Sequence, residues 1–370
     1  VALNPVLREL AKRASDTVEG APPGALLVAP QAIADLVEVV ARADVDRTSL
    51  LIWGGGSHQG LGNRVDAELV LATSRLNALV DWQPDDLTVV VGVGMKVADL
   101  ESRLAERGQT ALLPEHPGLA TVGGVVASGV SGFRRLRYGP TRDRVLEVRL
   151  VTGDGRQVRG GGRVVKNVTG YDLPRLACGS LGRLGVITEV CLKLSPLPEA
   201  TMTVSVEDRS SAAARVYRPL SILADRRGSY VYLAGTRAEV EAQVARLDGS
   251  AREGLHWPPD PDGPFRFSLR VPPRLLDEAC VRLPETWEWL ALVGVGEIRI
   301  GAPGAAGATE ARVWAESVGG ALVVTQAPEA WYQEFDPWGT PPPGTELTAK
   351  LSEAFDPHRI LNRRRLPGGV

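Results

Sequence analysis

Trp53-Gly54-Gly55-Gly56-Ser57-His58-Gln59-Gly60-Leu61-Gly62 is the stretch on which the reading of this chain turns. It follows Ser49-Leu50-Leu51-Ile52, an apolar run of the kind that forms a buried strand. Three successive glycines let the backbone take positive φ and remove every Cβ from one side. Consecutive amides then converge on an anion, a nest for phosphate oxygens, and Ser57 adds a hydroxyl donor. Taken alone, the stretch reads equally as a flexible surface turn. It is neither a P-loop, lacking Gly-Lys-Ser/Thr, nor a G-x-G-x-x-G dinucleotide turn.

Two more glycine loops lie downstream. The second runs from Pro114-Glu115-His116-Pro117-Gly118 through Thr121-Val122-Gly123-Gly124 to Ala127-Ser128 and Gly132. Thr121 is placed to cap a short helix, and Gly123-Gly124 in its first turn are expected to offer amides at the positive end of the helix dipole. Arg134, Arg135, Arg137, Arg142 and Arg144 follow, a local cationic run that reads first as a solvated face. The third loop, Gly179-Ser180-Leu181-Gly182-Arg183-Leu184-Gly185-Val186-Ile187-Thr188, spaces glycines every three residues before a strand. Such a backbone either lies flat on a planar ligand or merely relieves crowding.

The chain around these loops is 370 residues long, enough for two or three domains. Lys+Arg number 42 against 44 Asp+Glu, so the net charge of −2 argues against binding nucleic acid through a basic surface. Cys178, Cys191 and Cys280 form no C-x-x-C pair and no disulfide framework, which fits a reducing compartment. Only 4 histidines are present, so no metal site is expected. No apolar stretch is long enough for a transmembrane helix. Val1 to Ala14 reads as an amphipathic helix without the apolar core of a signal peptide. The expected location is cytoplasmic, at the inner membrane only through partners.

The first half alternates strand and helix patterns. Ile33, Leu36, Val37 and Val40 recur at helical spacing, and Val97, Leu100 and Leu104 line another helix that stops near Gly108. Val145 to Thr152, Gly153-Asp154-Gly155 and Arg156 to Arg159 read as a hairpin. In the second half, Thr201 to Val206 and Ser229 to Leu233 read as strands, Ala238 to Leu247 as a helix, and Ala291 to Ile300 as one strand region. Pro337 to Gly344 is a hinge before a helix over Thr345 to Phe355. Boundaries are placed after 24, 196 and 340: an N-terminal helix (1–24), a first domain (25–196), a cap (197–340) and a return segment (341–370).

Five segments stand in a telling order: Gly54-Gly55-Gly56-Ser57; Pro114 with Thr121-Val122-Gly123-Gly124; Tyr138-Gly139-Pro140 with Asp143; Gly170-Tyr171-Asp172-Leu173; and Gly179 to Thr188. In that order they resemble the PCMH-type FAD-binding domain of the vanillyl-alcohol-oxidase-like flavoproteins. Phe355-Asp356-Pro357-His358-Arg359-Ile360-Leu361-Asn362 resembles the return segment of the same group. The block Arg163 to Leu176 is most similar to the FAD-binding E-subunit family of glycolate oxidase.

The resemblance implies an α+β architecture: a two-subdomain PCMH-type FAD-binding fold, a smaller α+β cap and the C-terminal return. It implies FAD as cofactor, and cofactor-binding residues at Trp53, Gly54, Gly55, Gly56, Ser57, His58 and Gly62 in the first loop. In and after the second loop it implies Pro114, Gly118, Thr121, Val122, Gly123, Gly124, Ala127, Ser128, Gly132, Tyr138, Gly139 and Asp143. Gly185, Val186 and Ile187 are implied at the adenine end, and Asn362 toward the flavin. Relatives with histidyl-FAD carry histidine where Ser57 stands, so non-covalent FAD is expected, with His58 one residue late.

The implied activity is oxidation of a small 2-hydroxy acid, glycolate or D-lactate, in glyoxylate metabolism. Electrons would pass to a partner in a complex with a second FAD subunit and an iron–sulfur subunit. No base is assigned; His116, Lys166 and His358 are candidates. Two departures weigh against independent catalysis. The metal-binding His-x-Gly-Asp-Gly-Asn-x-x-His-like stretch of related D-2-hydroxy-acid dehydrogenases is missing. Arg363-Arg364-Arg365 replaces the Asn-Pro-Gly continuation, reading as a solvated tail, a cover over an acidic ligand, or a docking element. A non-catalytic FAD-binding scaffold and a free-standing oxidase of another alcohol therefore stay open beside the first reading.

Overall fold

A computed structural model describes residues 7, 26–114, 118–163 and 170–370. The expected N-terminal helix thus lies outside the described residues except for Leu7, which is fully buried. The candidate bases His116 and Lys166 lie outside them too.

The first sheet is small and parallel. Strand β1 (Leu27–Val28) leads into helix α1 (Ile33–Asp46), which crosses over to β2 (Leu50–Trp53). Strand β3 (Leu69–Ala72) then inserts between them, giving the order β1-β3-β2. A parallel pair needs such a crossover, and the helix pays its way by burying Leu36, Val39, Val40 and Ala43 against Leu50, Leu69 and Leu71.

A five-stranded antiparallel sheet forms the second layer. Its strands are β4 (Leu79–Gln83), β5 (Thr88–Gly92), β7 (Val145–Val151), β8 (Gln157–Gly161) and β9 (Val186–Lys193), in the order β4-β5-β9-β7-β8. The short strand β6 (Gln109–Thr110) pairs elsewhere, with β10 (Ser195–Pro196). Helices α2 (Val97–Ala105), α3 (Val122–Ser128) and α5 (Leu173–Ala177) close over the sheet. Val89, Val91, Leu100, Leu104, Val125, Val148 and Leu192 make the common core. The expected hairpin is β7–β8, with Gly155 at φ +83° in its turn.

The cap is one antiparallel sheet of eight strands. They are β11 (Ala200–Val206), β12 (Ser221–Ala224), β13 (Ser229–Gly235), β14 (Gly249–Glu253), β15 (Phe265–Arg270), β16 (Glu288–Leu292), β17 (Glu297–Ala302) and β18 (Ala321–Gln326). Their order is β14-β11-β13-β12-β16-β17-β15-β18. The single strand region expected over Ala291 to Ile300 is corrected here. It is a hairpin, β16–β17, whose turn places Gly294 and Gly296 at φ +80° and +79°. Two positive-φ glycines reverse a chain that hydropathy alone reads as continuous.

Segment 131–138, with helix α4 (Arg135–Tyr138), docks the first two sheets onto the cap. Phe133 lies 5.2 Å from the Trp257 ring, which stacks at 4.1 Å on Tyr232 of β13. Arg137 donates to the Ala234 carbonyl at 2.5 Å, and Arg135 pairs with Glu297 at 3.3 Å. The cationic run is therefore only partly the solvated face expected from sequence. Arg142 is exposed, but Arg135 and Arg137 are interface residues and Arg134 donates to the Leu113 carbonyl at 2.9 Å.

After the cap, helix Thr345–Phe355 leads into the return segment. The Leu50 amide donates to the Ile360 carbonyl at 2.8 Å, and the Asn362 amide to the Leu50 carbonyl at 2.9 Å, so the segment runs parallel along β2.

Candidate functional site

The glycine loop leaves the C-terminal end of β2 and enters a cavity lined by Gly54, Gly55, Gly56, Ser57 and His58. The amides of Gly54 to Ser57 make no hydrogen bond to any described residue. Free, adjacent amides at a strand end are what an anion nest requires. Each glycine also has a steric reason. A Cβ on Gly55 would lie 1.5 Å from the Leu119 carbonyl oxygen, and one on Gly54 2.5 Å from Thr121 Oγ1. Gly56 sits at φ +78° over the Trp53 ring.

The opposite wall is α3 and the third loop. Gly123, Gly124, Ala127, Ser128, Gly182, Gly185 and Ile187 face the same cavity. One expectation fails here. The amides of Val122, Gly123 and Gly124 are not free: they donate to the Met95 carbonyl (2.9 Å), the Val93 carbonyl (2.8 Å) and Thr121 Oγ1 (3.2 Å). These glycines instead allow close approach; a Cβ on Gly123 would lie 2.6 Å from Val93 Cβ. Between the first loop and α3, the free amides on this cavity are therefore those of the first loop.

Asn362 closes the cavity floor. It is 2% exposed, accepts the Ile52 amide at 2.8 Å and donates to the Leu181 carbonyl at 2.6 Å. It ties β2, the third loop and the return segment together. A second buried tie lies behind it. Arg183 and Asp356, 2% and 0% exposed, pair at 2.8 Å, and Asp356 also accepts the Ile360 and Leu361 amides at 2.9 and 3.0 Å.

The remaining residues expected at the cofactor stand off this cavity. Trp53 and Gly62 are buried beneath the loop, and Thr121 caps α3. Val186 points into the core beside Leu50 and Leu69 because neighbouring strand residues face opposite sides, whereas Ile187 faces the cavity. Tyr138 ends α4, Gly139 caps it, and Asp143 is exposed in the 3-10 turn that follows. Gly118 is exposed, Pro114 is buried, and Gly132 belongs to the docking segment. His358 bonds Asp44 at the end of α1, at 2.7 Å, and lines neither cavity described here.

Sequence reasoning did not single out Arg365 within Arg363-Arg364-Arg365. Of the three readings of that run, the solvated tail suits Arg364, which is exposed, and not Arg365, which is 4% exposed and lines the same cavity. It also missed the adjoining cleft of about 220 Å³ between loop and cap. There Ser57, His58 and Ser128 face Arg266, Ser268 and Arg270 of β15 and Glu297 and Arg299 of β17. Period-two spacing in Arg266-Phe267-Ser268-Leu269-Arg270 was the available signal, polar residues facing the cleft and apolar ones the cap core. Arg299 is fixed by Asp260 at 2.7 Å and the Ser131 carbonyl at 2.8 Å. Among the described residues, no three His, Cys, Asp or Glu side chains gather to hold a metal.

The residues present fit the diphosphate of a dinucleotide flavin: free amides, a cradle that any Cβ would fill, and a buried cation on its wall. Comparison with known proteins agrees. Residues 23–161 match the family described as FAD binding domain. The chain is 36% identical over 232 residues to glycolate oxidase subunit GlcE of Escherichia coli, covering 60% of this chain and 66% of that protein. It is 30% identical over 194 residues to glycolate oxidase subunit GlcD of Bacillus subtilis, covering 51% and 41%. It is 34% identical over 176 residues to D-lactate dehydrogenase of Archaeoglobus fulgidus, covering 46% and 39%. The chain thus spans less than two thirds of the length of these relatives. A solved structure of alkyldihydroxyacetonephosphate synthase shares the fold, with a TM-score of 0.65 and 15% identity over 91% of this chain and 76% of that one. The chain therefore carries a PCMH-type FAD-binding domain, and FAD is its cofactor.

Proposed function

We propose that this chain is an FAD-dependent oxidoreductase subunit of a glycolate-oxidase-like complex, taking part in the oxidation of a small 2-hydroxy acid such as glycolate or D-lactate. A second FAD subunit and an iron–sulfur subunit would complete the complex and carry the electrons away. The FAD is held non-covalently, because Ser57 offers no ring nitrogen where a histidyl link forms. The complex would be cytoplasmic, reaching the inner membrane only through partners.

The observation that carries this reading is the cleft between glycine loop and cap. Arg270, which makes no ion pair among the described residues, gives it positive charge; Arg266 is paired with Asp262, and Arg299 keeps a fixed guanidinium on the wall beside Asp260. Such a surface binds a carboxylate and orients the carbon beside it. FAD, when bound, supplies a two-electron acceptor for that carbon. Ser131 and Phe133, by holding Arg299 against the first domain, position the cap arginines relative to the glycine loop.

A scaffold role is the second reading. It is favoured by the missing metal-binding stretch and by His256, which is spent on the Glu253 carbonyl at 2.7 Å. Anaerobic bleaching of the flavin by glycolate or D-lactate separates the two. Bleaching of the isolated chain supports a catalytic subunit, and bleaching only after the partner subunits are added supports the scaffold. No bleaching in either case overturns 2-hydroxy-acid oxidation.

A further inference from the structure

Arg365 is a cation in an unusual position. Its guanidinium donates from Nε to the Leu61 carbonyl (3.3 Å), from Nη1 to Gln59 Oε1 (2.6 Å), and from Nη2 to the carbonyls of His58 (3.3 Å) and Gln59 (3.1 Å). All of these acceptors are neutral. Among the described residues no carboxylate pairs with it; the cation Arg64, which acts on it, is itself paired with Glu329 at 3.0 Å. Burial pushes its guanidinium down to about 10, with Arg64 adding to the shift and Tyr332 opposing it. A buried charge without a counter-ion is costly, so a site that keeps one is built for a charge that arrives later.

The position is locked as well as charged. The Arg365 carbonyl accepts the Asn63 amide at 3.1 Å and Trp338 Nε1 at 3.0 Å. Its side chain gathers carbonyls on one side of the loop. The loop's free amides, Gly54 to Ser57, open to the cavity that Arg365 also lines. Amide dipoles and guanidinium therefore add to one positive field, with no acid on that wall to cancel it.

We propose that Arg365, from the return segment, is the counter-charge of the FAD diphosphate, so that the C-terminal return selects and retains the dinucleotide. The inference rests on the FAD reading of the cavity, and FAD titration of the unaltered apoprotein tests that reading separately.

The experiment uses full-length apoprotein of the wild type, Arg365→Gln and Arg365→Lys. Flavin fluorescence gives the FAD dissociation constant, and thermal melts with and without inorganic pyrophosphate report anion binding without any turnover. Removing one partner of a buried charge pair commonly costs enough to weaken binding by about tenfold or more. We therefore expect Arg365→Gln to weaken FAD by at least about tenfold and to lose the pyrophosphate-induced rise in melting temperature. Arg365→Lys, which keeps the charge, recovers part of both. Wild-type apoprotein that binds FAD but shows no pyrophosphate shift overturns the proposal, whether or not the variants fold. So does Arg365→Gln binding FAD within twofold of wild type. Equal loss in Gln and Lys variants also overturns it, because that pattern belongs to loop support and not to charge.

Discussion

Gly55 shows most plainly how one residue type makes this site. Its Cα passes so close to the Leu119 carbonyl that backbone packs on backbone, and a methyl group has nowhere to go. Gly55→Ala must lift the nest off the second loop. We expect a loss of about 3 kcal/mol in urea unfolding of the apoprotein, together with loss of bound FAD on purification. The cysteines make a contrasting case. Burial pushes the thiols of Cys178, Cys191 and Cys280 up to about 11. At pH 8 only about one thiol in a thousand is then ionised, so native protein should alkylate slowly and unfolded protein fast, read by mass spectrometry. Fast native labelling would show that these thiols are less shielded than the packing implies. The tight glycine loop at the end of β2 was legible in the sequence. That the Val122 and Gly123 amides are spent inside the fold was not legible, because the Met95 and Val93 carbonyls that accept them come from another segment.

At the scale of elements, the return segment is the decisive piece. It adds a parallel stretch to β2 and is anchored by the buried Arg183–Asp356 pair. Asp356→Asn leaves Arg183 buried without its counter-charge. Breaking such a pair from one side costs about 3–5 kcal/mol. The expected outcome is a matching loss in denaturant stability and faster proteolysis near residue 356, with the five-stranded sheet still folded by circular dichroism. Unchanged stability would show that the return segment is held by its apolar contacts alone. Phe355-Asp356-Pro357 was recognisable as a motif, but its partner was not. Arg183 sits inside a glycine-rich run, and nothing local to either residue encodes a contact across that sequence distance.

The whole molecule determines the cleft. Its arginines come from cap strands, while Ser57 and His58 come from the first domain. Arg270 is exposed on the wall of that cleft. Arg270→Ala should weaken oxalate, a non-oxidisable dicarboxylate probe, by about tenfold, read as a change in the flavin spectrum, while FAD affinity and melting temperature stay unchanged. Equal oxalate affinity in variant and wild type would remove Arg270 from the substrate surface. The docking segment explains why the cationic run misled: an arginine whose acceptor is a distant carbonyl, as with Arg137 and Ala234, looks locally like any solvated arginine.

By itself the amino-acid sequence determined the local devices of this protein. Glycine clusters, the Thr121 cap, alternation in β15 and the amphipathic α1 each follow from steric and hydrophobic rules that act within a few residues. Their order was enough to indicate the FAD-binding fold. Only the tertiary structure decided which amides stay free, that Arg365 is buried while Arg364 is exposed, and that the cap turns its arginines toward the glycine loop. Those outcomes depend on partners far away in the chain, and a group's hydrogen bonds and burial belong to its surroundings and not to its type.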